Sequence, residues 1–126
     1  MTDNYLIDDV NNGNVKISEE VIATIAVVAI EEVEGVVEMQ STLKTSVTDM
    51  LGVKNLLKGV KASIGEREAV IDVFITVEYG KNIIDIGKNV QEKVKEAVET
   101  MTGLDVVEVN VHVGGVAMEN KEKVKA

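Results

Sequence analysis

The chain has no cysteine and a single histidine among its 126 residues. The first absence excludes disulfides, thiolate metal sites and cysteine nucleophiles, and it fits a reducing compartment. The second excludes histidine-pair metal sites and the familiar metalloprotease motifs. Aromatic residues are almost missing as well. Tyr5, Phe74 and Tyr79 are the whole set, so no ring platform for stacking bases or sugars is evident, and a core has to be built mainly from Val, Ile and Leu. The longest apolar run, residues 21–30, is broken only by Thr24 and spans ten residues, against the roughly 20 that a bilayer crossing needs. It reads as a buried helix, with no direct membrane insertion. Residues 1–14 are acidic and polar and lack the basic-then-apolar order of a secretory signal, so a cytoplasmic location is expected.

What is present describes architecture better than activity. Hydrophobic residues make up 45% of the chain, enough for one domain with a real core. The clearest pattern runs from Lys81 to Val113. Ile83, Ile86, Val90, Val94, Ala97, Val98 and Met101 recur at three- and four-residue spacing and form one apolar helical stripe. Gly103 follows as a C-cap, and then Val107, Val109, Val111 and Val113 alternate with Glu108, Asn110 and His112, the pattern of a strand with one buried face. Upstream, Ala69 to Tyr79 reads as another strand, with Ile71, Val73, Ile75, Val77 and Tyr79 on one face and Asp72, Phe74, Thr76 and Glu78 on the other. It pairs with a strand from Val60 to Ile64 through the hairpin Gly65-Glu66-Arg67-Glu68. Short strands are expected at 15–17 and 36–39.

Between those two short strands lies the first helix. Ser18 offers an N-cap, Glu19 and Glu20 suit the positive end of the helix dipole, and the helix is expected to reach about Glu34 before Gly35 ends it. It carries more apolar surface than one core needs. Val21, Ile22, Ile25, Val28, Ala29 and Val33 form a main stripe, and Ala23, Val27 and Ile30 lie at i, i+4 and i+7 on another side. Two apolar faces need two coverings: either sheet and loop cover both, or Ala23, Val27 and Ile30 are the candidates for a protein interface. The segment from Gln40 to Leu57 is irregular and could be a long connection or contain a short helix. These elements make an α+β fold of two layers, with two main helices packed on one face of a small sheet of three or four strands. The domain is expected to span 14–117. A flexible acidic tail (1–13), ending in the turn-prone Asn11-Asn12-Gly13-Asn14, precedes it, and a charged tail (118–126) follows.

The search for chemistry gives little. No catalytic, cofactor-binding or metal-ligating residues stand out. His112 falls on the polar side of its strand and reads as a solvated residue. The glycines are dispersed without a P-loop or dinucleotide fingerprint, and Gly114-Gly115 reads as a terminal turn. Thirteen basic against 22 acidic residues give a net charge of −9, which opposes nucleic acid and anionic lipid over most of the surface. The one basic island runs from Gln40 to Ala62, where Lys44, Lys54, Lys58 and Lys61 stand against Asp49 alone. Those four lysines are the candidates for anion or RNA contact, with loop solubility as the competing account.

Several segments together resemble the alkaline shock protein family of Gram-positive bacteria. They are Gly13-Asn14-Val15-Lys16-Ile17-Ser18 before the Ala- and Ile-rich helix, Val33-Glu34-Gly35-Val36, Lys58-Gly59-Val60 and the strand from Val73 to Gly80. To these are added Val90-Gln91-Glu92-Lys93-Val94, Met101-Thr102-Gly103-Leu104 and Val107-Glu108-Val109-Asn110-Val111. The resemblance implies a small cytoplasmic α+β protein without enzymatic activity or cofactor, tied to stress and cell-envelope homeostasis. Some members of that family are held at the membrane by a related anchor protein, and others are linked to control of fatty-acid synthesis. The reading that results is a scaffold or regulator acting by protein–protein contact. It could be an oligomer and could sit at the inner membrane face through a partner. A small RNA-binding regulator using residues 44–61 and a regulator of a fatty-acid-synthesis enzyme are the alternatives.

Overall fold

The computed structural model describes residues 5–10, 13–39 and 59–118. The chain opens with a hairpin, β1 (Tyr5–Val10) and β2 (Gly13–Ser18), whose antiparallel ladder runs from Tyr5↔Ser18 to Val10↔Gly13. Over residues 5–10 a strand therefore stands where a flexible tail over 1–13 was expected. Tyr, Leu, Ile and Val are strand formers, and an Asn-rich stretch two residues long between two such runs is a hairpin signal that the acidic composition obscures.

Ser18 then caps α1 (Glu19–Glu31). Its backbone is extended, and its Oγ accepts the Val21 N–H at 3.2 Å, satisfying one of the open donors of the first turn. The Glu19 carboxylate also accepts the Ile64 N–H at 3.1 Å, which fixes the start of the helix against the sheet. The helix ends at Glu31, three residues earlier than expected. The Glu32 and Val33 N–H groups bond to Ala29 and Ile30 in a tightening turn, and Gly35, at φ +101°, redirects the chain into β3 (Val36–Met39).

The remaining elements are β4 (Val60–Ile64), β5 (Glu68–Glu78), α2 (Ile83–Thr102) and β6 (Asp105–Ala117). The second sheet is organised around β5. Strand β6 runs parallel along one edge of it, joined through α2, while β3 and β4 are both antiparallel to it. Because β4 faces Ala69–Val73 and β3 faces Ile75–Val77, these two short strands share the other edge end to end. The chain therefore leaves that edge after Met39 and returns at Gly59, whose carbonyl accepts the Phe74 N–H at 2.7 Å. The expectations for residues 40–57 lie outside the described residues.

Both helices cover one face of this sheet, giving the expected α+β architecture. Ile71, Val73, Ile75 and Val77 alternate along β5 and are fully buried beneath Ile22, Ala26 and Ile30 of α1 and Val90, Val94 and Val98 of α2. Each such Val or Ile side chain contributes about 1.5–3 kcal/mol by leaving water. Asp72, Phe74, Thr76 and Glu78 take the opposite, half-buried face. Asn82 caps α2 by accepting the Asp85 N–H, and Gly103, at φ +80°, ends it.

Strand β6 differs from its expected reading in two places, each a β-bulge. The register passes from Ala69↔Val106 to Val70↔Glu108, so Val107 is displaced and left 49% exposed while Val106 and Val109 are buried. It passes again from Ile75↔Val113 to Thr76↔Gly115, and the strand continues to Ala117. Gly114-Gly115 is therefore a bulge within a strand and not a terminal turn. The α2 side chains hold the start of β6. The Glu99 carboxylate accepts the Val106 N–H at 2.9 Å and Lys95 Nζ at 3.0 Å, and these bonds keep it below the ordinary carboxylate range.

A groove between the two helices

On α1 the residues facing the sheet cluster around Ala26 and Ile30, and the three interface candidates belong to that cluster. Ala23 is 1% exposed, Val27 5% and Ile30 fully buried, so of the two readings of this face the structure takes burial within the domain: the three are core, and the expectation that they meet a partner is corrected. At 100° per residue the opposite side of the helix presents Val21, Thr24 and Val28, with Ile25 at its border. The apolar surface left over is thus the outer part of the stripe that the sequence assigned to the core. Val21 and Val28 stand 47% and 53% exposed.

This leftover surface continues onto α2. Thr24, Ile25, Val28 and Ala29 of α1 line one wall of a groove of about 620 Å3 whose other wall includes Lys93, Glu96, Ala97, Thr100 and Met101 of α2. Met101 belongs to the apolar stripe of α2 yet is 68% exposed. Ile86, Val90, Val94 and Val98 form the buried part of the same stripe.

At Glu32 the groove passes into a smaller hollow of about 180 Å3 lined by Val33, Glu34, Asn89, Glu92, Lys93 and Glu96. The result is an apolar trough with one acidic end, where Lys93 is the only cation in either lining. Such a trough buries an amphipathic helix well when its apolar side faces Val28 and Met101 and its basic residues meet the carboxylates.

The open face of the sheet holds a second group that sequence reading did not join. His112 stacks on Phe74, with ring centroids 4.4 Å apart and planes 10° apart. His112 Nε2 lies 3.5 Å from Asp72 Oδ1, which also accepts Asn110 Nδ2 at 3.1 Å. Parallel pairing of β5 with β6 places Phe74 opposite His112, and only the strand order reveals that pairing. Among the described residues no three potential ligands gather for a metal ion. Lys61 is half-buried opposite Asp72 in the β4–β5 register. Lys44, Lys54 and Lys58 lie outside the described residues.

Comparison with known proteins places this geometry in a family. The model of the alkaline shock protein 23 family, described by a cell envelope-related function, matches residues 8–118. The chain is 36% identical over 125 residues to the uncharacterised protein YqhY of Bacillus subtilis, covering 96% of this chain and 93% of that one. It is 38% identical over 110 residues to YloU of the same organism, covering 86% and 92%. A stress response regulator gls24 homolog of Streptococcus pyogenes is 31% identical over 115 residues, which are 90% of this chain and 63% of the relative. Among solved structures, MamM CTD matches 76% of this chain and 93% of its own length, with 17% identity and a TM-score of 0.47.

Proposed function

The chain belongs to the alkaline shock protein family, with its cell envelope-related function, and from that premise we propose that it is a non-enzymatic scaffold or regulator acting through protein contact in the envelope stress response. The observation that carries this reading is the groove between α1 and α2, where exposed Val28 and Met101 face each other above an otherwise closed core. A surface of that kind loses free energy in water and recovers it against an apolar partner, at roughly 25 cal/mol per Å2 buried before the costs of association. The acidic end at Glu32, Glu34, Glu92 and Glu96 favours a partner segment with Lys or Arg at the corresponding end.

Among the described residues no helix is long and apolar enough to cross a membrane. A membrane-held protein presenting such a segment, including an anchor protein of the same family, would keep the domain at the inner membrane face. The test is crosslinking of the tagged chain in its own cells, followed by purification under denaturing conditions and identification of what stays attached. Recovery of one protein partner that is lost with Val28→Glu or Met101→Lys, in variants that retain native circular dichroism, supports the groove. A membrane protein or a fatty-acid-synthesis subunit would name the branch of regulation. Recovery of RNA without a groove-dependent protein would overturn the reading.

A further inference from the structure

Among the described residues, the outer edge of β6 is guarded along only half its length. At the guarded end, α2 side chains occupy the peptide groups that point away from β5. Gln91 Nε2 donates to the Val109 oxygen at 3.0 Å, Lys95 Nζ donates to the Val106 oxygen at 3.1 Å, and Glu99 accepts the Val106 N–H. Peptide groups alternate between the two edges of a strand, so Val111 and Val113, in phase with Val109, also point outward. The Ala117 oxygen accepts the Tyr79 N–H at 2.9 Å and so points back toward β5, which turns Val116 outward. On α2, the positions one and two turns before Gln91 are Gly87 and Ile84, and neither has a hydrogen-bonding side chain. The guard stops there.

From this we infer that the open half of β6, from Val111 to Val116, is a pairing edge for the same strand of a second copy, joining two four-stranded sheets about a two-fold axis near Val113. Three observations favour a second copy as the occupant. The first is charge: the molecule carries −9, yet from Val109 to Met118 there is no Asp, Glu, Lys or Arg. Two copies can therefore meet here without opposing like charges, and the Lys or inward charge that ordinarily blunts an exposed edge is missing.

The second is spacing. Val111, Val113 and Val116 stand opposite Val73, Ile75 and Val77 of β5, so the bulge at Gly114 absorbs the extra residue. The outward groups are then evenly spaced about Val113, and a two-fold pairing sets Val111 against the partner's Val116. The third is apolar surface on the helix side of the same end, where Val116 is 48% exposed and Ile84 in the first turn of α2 is 66% exposed. A second sheet continuing this one would cover both.

Sedimentation equilibrium of the full chain tests the pairing, with Val113→Pro as the main variant. The outward N–H of Val113 is not part of the β5 ladder, so proline there is compatible with the fold and removes an intermolecular donor. A concentration-dependent dimer is expected, with Kd raised at least about tenfold by Val113→Pro while circular dichroism stays native. If proline unfolds the domain, Val116→Lys decides by the same measure. Val28→Glu in the helix groove is expected to leave the dimer unchanged.

Because the chain has no native cysteine, a spin label at Glu108→Cys reports the geometry directly. Five residues on each side of the axis predict a separation of about 30–40 Å between labels. A monomer at about 1 mM, a dimer indifferent to both edge variants, or a label distance outside that range would overturn the proposal.

Discussion

Two glycines of similar backbone conformation show how much a single residue's surroundings decide. Gly35 and Gly103 both have φ well above zero, where a side chain strains the backbone by about 1–2 kcal/mol. They differ in what an added methyl group would meet. At Gly35 a Cβ would lie 2.6 Å from Ile86 Cδ1, whereas at Gly103 nothing lies within 4 Å. Since Ile86 is 4% exposed and packed in the core, it cannot swing into solvent. Gly35→Ala is expected to cost about 2–4 kcal/mol, adding overpacking to strain, and Gly103→Ala only about 1–2 kcal/mol. Urea unfolding followed by circular dichroism measures both. The stop signals themselves are legible in the sequence, because Gly after an apolar periodic run marks a helix end; that Gly35 also makes room for Ile86 depends on a helix 50 residues away.

At the scale of elements, α1 shows where periodicity stops being informative. Its residues are apolar nearly all round, so spacing identifies a helix but offers two faces of similar merit for the core. The sheet makes the choice, burying Ala23, Val27 and Ile30 and leaving Val21 and Val28 in water. Val27→Glu therefore places an unpaired carboxylate against β-strand side chains and is expected to cost more than about 4 kcal/mol, a large share of a domain's stability. Val28→Glu, one residue on, is expected to change stability by less than about 0.5 kcal/mol. Thermal melts of the two variants separate these outcomes, and equal effects would mean that the helix is rotated from the orientation seen here. In contrast α2 has one apolar stripe, and its buried members Ile86, Val90, Val94 and Val98 follow from spacing alone. The alternation of β6 is legible too, and Val109, Val111 and Val113 fall on the core side as their spacing predicts, but the bulge ahead of them is not. A bulge shifts side chains between faces without changing the pattern of residue types, and this is why Val107 reads as core and lies in water.

For the whole molecule, the acidic excess matters more than any single ion pair. The ion pairs made by Lys81 with Glu34 and Glu78 are long, at 3.9 Å, and at least partly exposed, so each contributes little. A net charge of −9 on one small domain instead repels itself, and salt screens that repulsion. Raising NaCl from about 10 mM to about 200 mM is expected to increase unfolding free energy by a few tenths to about 1 kcal/mol, read from urea midpoints at each salt concentration. A decrease would mean that local attractions outweigh the net charge. Composition, periodicity and glycine placement by themselves determined the α+β class, both helices, the strands from Val60 onward and the acidic character, because these depend on local propensity and on the 3.6- and 2-residue periods. Only the tertiary structure decided that β3 and β4 share one edge of β5, which side of α1 is core, that Phe74 meets His112, and that no described residue covers the groove or the far half of the β6 edge. Each of these depends on strand order or on what lies across from a residue, and those pairings join positions far apart in the chain.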